Sequence, residues 1–506
     1  MRSKKAIVNT LTGLIYQLVT VVCGFVVPRL ILSAFGSDYN GITSSITQFL
    51  GYVSLMRAGI GGVTKAALYK SLSTNDIERT SAIINATDKF LKKVALIFSV
   101  SLIIFAAIYP IFVSDDFEWF FTFTLVLILG ISTFVQYFFG LTYQLLLQAD
   151  QRQSIISIIH IGTTILNTLL AALLIRLGAG IRVVKLGSAL AYSLNPLLIN
   201  LYARKFYKID KNVPPDNDAI KDRWDCFSLQ VANFVNNNTD MFLLTVFTNV
   251  REVSVYTVYY MVTDGMRKLM LTFVDGVGAA FGNMFAKNEQ ENAKRNLLLY
   301  EEVTFAVANF LFSVTLVMLL GFVNVYTLNI NDAEYIRPAF GAVLVLATAF
   351  NVYRIPYQSI VEAVGHFRQT RNGAIFEAVL NISVSILMVN TFGLVGVAIG
   401  TLCATIFRTF QYCIYVSHNL IKRSLWIMIK RLLLSALSFI LVILFSKMLD
   451  FDSPMTYLQW ALQAIPVALI SLGVVAFIEI LFYRQDLKLT IHKVLSVLNS
   501  KKSFKA

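Results

Sequence analysis

Six basic residues stand inside long apolar stretches of this 506-residue chain: Arg29, Arg57, Arg267, Lys268, Arg354 and Arg408. If those stretches cross a bilayer, a base near the centre costs roughly 2.5–3.5 kcal/mol unless it faces water or a partner. A guanidinium offers a planar fork that suits two phosphate oxygens. The bases therefore predict a site for an anionic, phosphate-bearing group. Snorkelling to the headgroups is the alternative, and it suits Arg29 and Arg57 best because both lie near helix ends.

Polar side chains recur at helical spacing around these bases. Residues three, four and seven apart share one face of a helix. Five such stripes occur: Asn233, Asn236, Asn237 and Asp240; Tyr260, Asp264, Arg267, Lys268 and Asp275; Asn351, Arg354, Gln358 and Glu362; Thr401, Thr405, Arg408 and Tyr412; and His160, Thr164 and Asn167. A single stripe also suits a polar contact between two helices. Five of them predict a shared polar interior.

That interior gives a set of candidate site residues. Those expected to bind substrate are Arg29, Arg57, Arg267, Lys268, Arg354, Arg408, Asn233, Asn237 and Gln358. Those that could couple transport to an ion are Asp240, Asp264, Asp275 and Glu362. Structural ion pairs are the alternative, with Asp264 serving Lys268, and Glu362 or Glu377 serving Arg354. Tyrosines such as Tyr16 and Tyr143 could stack on sugar rings.

The bulk composition requires a membrane around these helices. Hydrophobic residues make up 57% and charged residues 14% of the chain, whereas soluble domains are about a quarter charged. A spanning helix needs roughly 20 apolar residues. Fourteen spans are predicted: 7–32, 41–62, 91–113, 119–143, 155–177, 183–203, 225–247, 253–285, 299–323, 338–363, 373–391, 394–417, 427–448 and 457–483. The first reads as a span rather than a cleaved signal, because no small-residue cleavage site follows it.

The distribution of Lys and Arg orients these spans. With the N-terminus inside, the cytoplasmic connections (418–431 among them) and tail carry 31 of the 43 basic residues and the spans six. The outer connections carry the other six: Arg176, Arg182, Lys185, Arg251, Arg337 and Lys447. Basic residues concentrate on the cytoplasmic side of membrane proteins. Both termini are therefore expected in the cytoplasm. The formal net charge of +14 then reports topology, and nucleic acid is not an expected partner.

The two halves of the chain repeat. Tyr143-Gln144-x4-Ala149 matches Tyr357-Gln358-x4-Ala363, Leu166-Asn167 matches Leu380-Asn381, and Gly180-x6-Gly187 matches Gly393-x6-Gly400. The offset spans six helices, so the repeats are parallel. The expected architecture is all-α: an N-lobe 1–203 (helices 1–6), a cytoplasmic linker 204–224, a C-lobe 225–417 (helices 7–12), helices 13 and 14 in 418–483, and a basic tail 484–506.

Enzyme signatures are missing from the sequence. It has no Walker A loop, its four cysteines form no CxxC pair, and its four histidines show no metal spacing. The outer connections are too short for the catalytic loop expected of a membrane glycosyltransferase or polymerase. We therefore expect no cofactor, no metal and no catalytic residues.

The chain resembles the lipid-linked oligosaccharide (O-antigen and capsule-type) flippases of the multidrug/oligosaccharidyl-lipid/polysaccharide (MOP) exporter superfamily. The resemblance rests on Pro28-Arg29-x6-Gly36-x4-Gly41, on Thr239-Asp240-x8-Asn249-x5-Val255-Tyr256, and on the Asn…Gly…Gly pattern of helices 5 and 11. The peptidoglycan-precursor flippases of that superfamily use cavity arginines whose nearest counterparts here are Arg29, Arg57 and Arg267.

This resemblance implies a multi-pass protein of the inner (cytoplasmic) membrane with two lobes around a cationic cavity. It would move an undecaprenyl-pyrophosphate-linked oligosaccharide to the outer leaflet by alternating access. Its expected partners are that polyprenyl-pyrophosphate-linked oligosaccharide, membrane lipid, and the glycan polymerase and glycosyltransferases of the same assembly route. Two alternatives stay open: a drug or small-solute exporter of the superfamily, and a membrane enzyme of glycan assembly.

Overall fold

The computed structural model describes residues 2–54, 60–114, 116–220, 239–274, 281, 284–285 and 289–484. These residues form helices and short connections, and none of them is in a β-strand. Contacts divide the chain into a first compact unit, Met1–Val255 with Ile330–Ala333, and a second, Tyr256–Asn329 with Glu334–Ala506. The division lies further along the chain than the linker 204–224, and the predicted lobes stay predictions.

The first unit is built from helices. They are α1 (Arg2–Phe35), α2 (Ser37–Ser54), α3 (Ile60–Ser73), α4 (Ile77–Phe112), α5 (Trp119–Val135), α6 (Leu141–Ala149), α7 (Gln153–Arg176) and α8 (Ile181–Phe206). Residues 239–247 are also helical. Helix α9 (Val250–Val274) follows, and the division between the two units falls within it, after Val255. A buried polar chain ties α2 to α4, because the Tyr109 hydroxyl donates to Ser45 Oγ at 2.8 Å, leaving neither group unsatisfied.

A π-helical turn, Gln136–Gly140, joins α5 to α6. Such turns misalign the backbone hydrogen-bond ladder and are common at functional sites. Here the Asn200 side chain donates to the carbonyl oxygen of Phe139 at 2.7 Å. A Cβ at Gly140 would lie 2.1 Å from Pro196 Cβ. The turn is therefore held against α8 by close packing.

The second unit contains α10 (Gln290–Tyr326), α11 (Pro338–Tyr353), α12 (Ile355–Val364), α13 (Phe367–Phe392), α14 (Leu394–Tyr415), α15 (Trp426–Lys447) and α16 (Tyr457–Phe482). Helices α11 and α12 are one interrupted helix, with Arg354 at the break. Pro356, in the first turn of α12, has no N–H to continue the ladder. The interruption places Arg354 between the two helices, with its side chain 12% exposed.

Ten helical segments of the described residues are long and apolar enough to cross a membrane: Leu11–Phe35, Ile77–Phe112, Trp119–Ala149, Gln153–Arg176, Glu291–Tyr326, Pro338–Val364, Arg368–Phe392, Leu394–Leu420, Trp426–Lys447 and Tyr457–Phe482. Large apolar side chains such as Leu18, Leu169 and Leu387 are exposed on them, as lipid contact requires. The chain is a multi-pass membrane protein.

Four predicted spans are not among those ten. Helices α2, α8 and α9 cover parts of spans 41–62, 183–203 and 253–285. They are long enough, but they are less apolar or more highly charged than the other ten. Most of span 225–247 lies outside the described residues. The count of fourteen and the cytoplasmic termini stay predictions.

Two glycines paired in the predicted repeat have similar surroundings. A Cβ at Gly187 in α8 would lie 2.7 Å from Leu174 of α7, and one at Gly400 in α14 would lie 2.1 Å from Ser385 of α13. Asn167 of α7 donates to Tyr192 of α8 at 3.2 Å, and Asn381 of α13 donates to Thr401 of α14 at 3.4 Å. In both units, therefore, a glycine allows close approach of neighbouring helices that an asparagine also bridges.

Candidate functional site

A cluster of charged side chains lies on one face of α9. Arg267 Nη2 is 2.7 Å and Lys268 Nζ 2.8 Å from the carboxylate of Asp264. Spacings of three and four residues bring these groups together along the helix. The side chains of Arg267 and Lys268 are 27% and 52% exposed, against 11% for Asp264. Arg267 and Lys268 therefore share the carboxylate of Asp264.

A second cluster connects Arg354, at the break between α11 and α12, to residues of α13 and α14. Arg354 Nη1 lies 2.7 Å from Glu377 Oε1, and Arg408 Nε lies 3.3 Å from Glu377 Oε2. The Arg408 and Glu377 side chains are only 6% and 4% exposed. Again one carboxylate serves two bases, which leaves one positive charge in excess within the trio.

The two arginines of this second cluster differ in how fully they are bonded. Arg408 also donates to the carbonyl oxygen of Thr370, to Gln411 and to the Tyr412 hydroxyl, at 2.7–2.9 Å. Its guanidinium can reach α13 because residue 373 is glycine: a Cβ there would lie 2.6 Å from Arg408 Nη1. Arg354 is less occupied, since its buried Nε has no partner among the described residues. Arg408 is therefore held in place by several hydrogen bonds, whereas the Nε–H group of Arg354 is still able to donate to a ligand.

The remaining predicted site residues are more scattered. Gln358 donates to the exposed carboxylate of Glu362 at 2.7 Å, one turn beyond Arg354. Asp240 is buried, and Arg29 is half-buried in α1. Arg57, Asn233, Asn237 and Asp275 lie outside the described residues. The structure thus brings Arg267 and Lys268 together with Asp264, and Arg354 together with Arg408.

Three connections predicted to face outward meet within the first unit. The Asp332 carboxylate accepts from Ser37 N and Ser37 Oγ, both at 2.6 Å. Gly36 has φ +89°, and a Cβ there would lie 2.5 Å from Asp332 Oδ2. The spacing Gly36-x4-Gly41 quoted for the resemblance therefore starts at a turn that only glycine fits readily.

The start of α2 packs directly on the start of α9. A Cβ at Gly41 would lie 1.7 Å from the carbonyl oxygen of Val250, so the two backbones touch. Arg251 forms a bidentate pair with Asp38 at 2.6 and 2.9 Å, and these hydrogen bonds raise the pKa of Arg251. We call the contacts of residues 36–41 with 250–254 and Asp332 the outer latch.

The fold can now be compared with known proteins. No protein-family model matches the sequence, and no curated protein does. Solved structures do match. The lipid II flippase MurJ in an inward closed conformation has a TM-score of 0.74 at 14% identity, covering 94% of this chain and 99% of that chain. An inward-facing MATE multidrug transporter of the MOP superfamily has a TM-score of 0.60 at 16% identity, covering 79% and 95%.

The fold is that of the MOP transporters. A eukaryotic MATE transporter agrees, with a TM-score of 0.58 at 13% identity over 82% of this chain and 95% of that chain. The superfamily fold expected from the sequence is thus confirmed. Sequence identities this low show the fold alone and leave the transported molecule to be argued from the residues.

Within this MOP fold, one buried ion cluster was not predicted from the sequence. Glu301 in α10 accepts two hydrogen bonds from Arg423, and Arg431 Nε lies 3.7 Å from the same carboxylate. All three side chains are at most 2% exposed. Burial alone would lower the pKa of Arg423, but hydrogen bonds and charge from Glu301 raise it. From the sequence, Arg423 and Arg431 were counted only as cytoplasmic charges. Their spacing gave no indication that they pair with Glu301, which lies over 120 residues earlier in the chain.

A cavity of about 650 Å³ inside the first unit was also not predicted from the sequence as a binding site. Tyr16, His160, Thr164 and Asn167 line it together with Lys185 of α8. The stripe of α7 therefore faces this cavity. Lys185 had been counted as an outer-connection charge. A signal was available, because Lys185, Ser188, Tyr192 and Asn195 share one face of a helix.

Proposed function

We propose that this protein is a flippase that moves an undecaprenyl-pyrophosphate-linked oligosaccharide from the cytoplasmic to the outer leaflet of the inner membrane, by alternating access through a cationic central cavity. The observation that carries the proposal is the composition of the two clusters. Asp264 is shared by Arg267 and Lys268, and Glu377 by Arg354 and Arg408. Each carboxylate is shared by two bases, and the trio of Glu377, Arg354 and Arg408 holds one positive charge more than its carboxylate balances, which an anionic head would compensate.

Arg354 is the arginine best placed to contact substrate. Its Nε is a buried donor without a partner among the described residues, and leaving such a donor unsatisfied costs about 1–3 kcal/mol. A phosphate oxygen is a suitable acceptor, because charge-assisted hydrogen bonds to guanidinium are strong. Arg408 would then act by holding Glu377 and adding charge rather than by contacting the head directly.

The electrical gradient supplies a direction. A pyrophosphate head carries about two negative charges, which cannot cross hydrocarbon without compensation. With the cell interior negative, outward transfer of an anion is favoured by roughly 2.3 kcal/mol per charge per 100 mV. The prenyl tail would stay in lipid while the head crosses beside the bases. Coupling to H⁺ or Na⁺ through Asp240, Asp264, Asp275 or Glu362 is a further route.

Alternating access requires a closure on the outer side that opens. The outer latch suits that role because its contacts are polar and short, made of hydrogen bonds and a salt bridge whose partners can be replaced by water. The backbone contact between Gly41 and Val250 makes the closure tight. In this mechanism the latch separates once the head has bound.

A drug or small-solute exporter is the second candidate, and the likeness to MATE transporters favours it. That likeness covers 79–82% of the chain, against 94% for the lipid flippase. The extra positive charge in the trio of Glu377, Arg354 and Arg408 also disfavours organic cations, whose transport would support this candidate. A membrane enzyme of glycan assembly is less well supported, since the structural neighbours are transporters.

Reconstitution separates these functions. The purified chain in proteoliposomes should render a fluorescent undecaprenyl-pyrophosphate glycan in the inner leaflet accessible to an external glycan-modifying reagent, faster than protein-free vesicles do. It should not accumulate organic cations. Cation transport without glycan-lipid translocation would replace the flippase by the exporter, and glycosyl transfer by the purified protein would indicate an enzyme.

A further inference from the structure

The cavity of the first unit has the lining of a binding site rather than of a packing defect. Its volume of about 650 Å³ falls within the 300–1,000 Å³ of small-molecule pockets. Along α8 it extends from Lys185 to Ile199, about 21 Å of helix at 1.5 Å per residue. The π-helical turn contributes Gln136 and Tyr137.

Three buried polar atoms in this lining have no hydrogen-bond partner among the described residues: Thr20 Oγ1, His160 Nε2 and Asn167 Oδ1. Asn167 is only 3% exposed, and its Nδ2 is already used on Tyr192. The ring of Tyr16 packs edge-on against His160, with ring centroids 5.4 Å apart. Because buried polar groups are rarely left unsatisfied, the cavity is prepared for a ligand that supplies hydrogen bonds.

The charge of the cavity lining further narrows the chemical class of the ligand. Lys185 has no ion-pair partner in the described part of the chain, and the described lining contains no Asp or Glu. An unpaired ammonium in the cavity of a membrane protein favours an anionic ligand. A bare inorganic anion only accepts hydrogen bonds and leaves Asn167 Oδ1 unsatisfied. A sugar hydroxyl both donates and accepts, and tyrosine rings offer apolar faces for the ring carbons.

We propose that this cavity binds an acidic sugar, a pyranose ring that carries a carboxylate, with Lys185 as its counter-charge and with Asn167, His160 and Thr20 on its hydroxyls. This inference deepens the proposed flippase function, on which its biological meaning rests, because it names a class of glycan and a second contact point inside one unit. The pyrophosphate and the glycan then occupy different sites.

Ligand binding to the full-length chain in detergent tests the cavity without any transport assay. D-glucuronate should raise the thermal unfolding midpoint in a saturable manner, whereas D-glucose at the same concentration and sulfate at matched ionic strength should not. Lys185→Met should weaken glucuronate binding about tenfold, which corresponds to the loss of one charge-assisted hydrogen bond. Lys185→Arg should retain most of the affinity.

Arg182→Gln is the matched control, since Arg182 is an exposed base one turn earlier on α8 that does not line the cavity. It should bind glucuronate as the unmodified protein does. Equal shifts with glucose would overturn the acidic requirement, equal shifts with sulfate would overturn the sugar, and no shift with any probe would show a cavity that holds only water. Unfolding midpoints without ligand confirm that each variant is folded.

Transport separates failure of this inference from failure of the proposed function. Proteoliposomes would be given pyrophosphate lipids that carry either a uronate-containing or a neutral glycan. Lys185→Met should slow the uronate lipid alone. If both lipids move equally in the variant and in the unmodified protein, the cavity inference fails and the flippase stands. If neither lipid moves although glucuronate binds, the flippase fails and the cavity stands.

Discussion

Gly41 of α2 touches the backbone of Val250: a Cβ at residue 41 would lie 1.7 Å from the carbonyl oxygen of Val250. No side chain can relieve such a clash, because the obstacle is backbone. Around this contact, Asn40 donates to Ser254 at 2.8 Å, and Asp332 holds the turn that precedes α2. The outer latch is thus closed by geometry and reinforced by hydrogen bonds.

Gly41→Ala should push the starts of α2 and α9 apart. We expect it to lower the free energy of unfolding by about 1–3 kcal/mol, the usual cost of overpacking, and to reduce translocation. Thermal unfolding and proteoliposome flux would measure the two effects. Gly162→Ala is the control, because a Cβ at Gly162 meets nothing within 4 Å and alanine favours a helix interior. Normal flux in Gly41→Ala would contradict the role given to this contact.

A reversible cross-link tests whether the latch must open. Asn40→Cys and Ser254→Cys would be combined in a background without Cys23, Cys226, Cys403 and Cys413. The two side chains are in contact, so we expect oxidation to link them, to stop translocation and to be reversed by a reductant. Each single cysteine variant is the control. Full flux through the oxidised double variant would mean that this contact does not separate during transport.

Glu377 is expected to be essential for stability, since its removal leaves Arg354 and Arg408 facing each other without a counter-charge. Breaking a buried ion pair on one side costs about 3–5 kcal/mol. Glu377→Ala should therefore lower the unfolding midpoint strongly, and Glu377→Gln less, because an amide oxygen still accepts hydrogen bonds. Glu118→Gln, an exposed carboxylate at the start of α5 without a side-chain capping bond, should change little. Similar midpoints for all three variants would refute the ion cluster.

The buried pair between Glu301 and Arg423 should hold α15 to α10. Arg423 lies in the connection before α15, and its neighbour Arg431 is already within α15. Arg423→Gln should lower the unfolding midpoint more than Arg423→Lys, because lysine keeps the charge but not the two parallel hydrogen bonds. The exposed residue Lys422 provides the control in Lys422→Gln. An equal loss in Lys422→Gln would show that general charge, and not this pair, matters.

The sequence predicted the membrane-spanning helices better than it predicted the contacts between side chains. Apolar length and charge asymmetry indicate spanning helices because lipid imposes both directly, and the MOP fold was expected from motifs around Gly36, Gly41 and Asn167. The pairing of Lys268 with Asp264 was also foreseen, because both residues are on one helix. For Arg354 the sequence left two possible ion-pair partners, Glu362 and Glu377, and in the structure Arg354 pairs with Glu377.

Contacts between distant parts of the chain could not be predicted in this way. The pairs of Asp332 with Ser37 and of Glu301 with Arg423 join residues 295 and 122 positions apart, and helical periodicity carries no information across such distances. Lys185 was counted with the outer connections, whereas the structure places it in the lining of the cavity of the first unit.

The rate at which proteoliposomes translocate a pyrophosphate-linked glycan, compared between Arg267→Gln/Arg354→Gln and Arg368→Gln/Arg371→Gln, tests the electrostatic account most directly. Both pairs remove two positive charges, but the second pair lies on the exposed start of α13. We expect the first pair to slow translocation at least about tenfold, since each lost charge-assisted hydrogen bond is worth roughly 1.5–3 kcal/mol, and the second to leave it within about twofold. Equal rates in the two double variants, with both proteins folded, would contradict the claim that these clusters receive the anionic head.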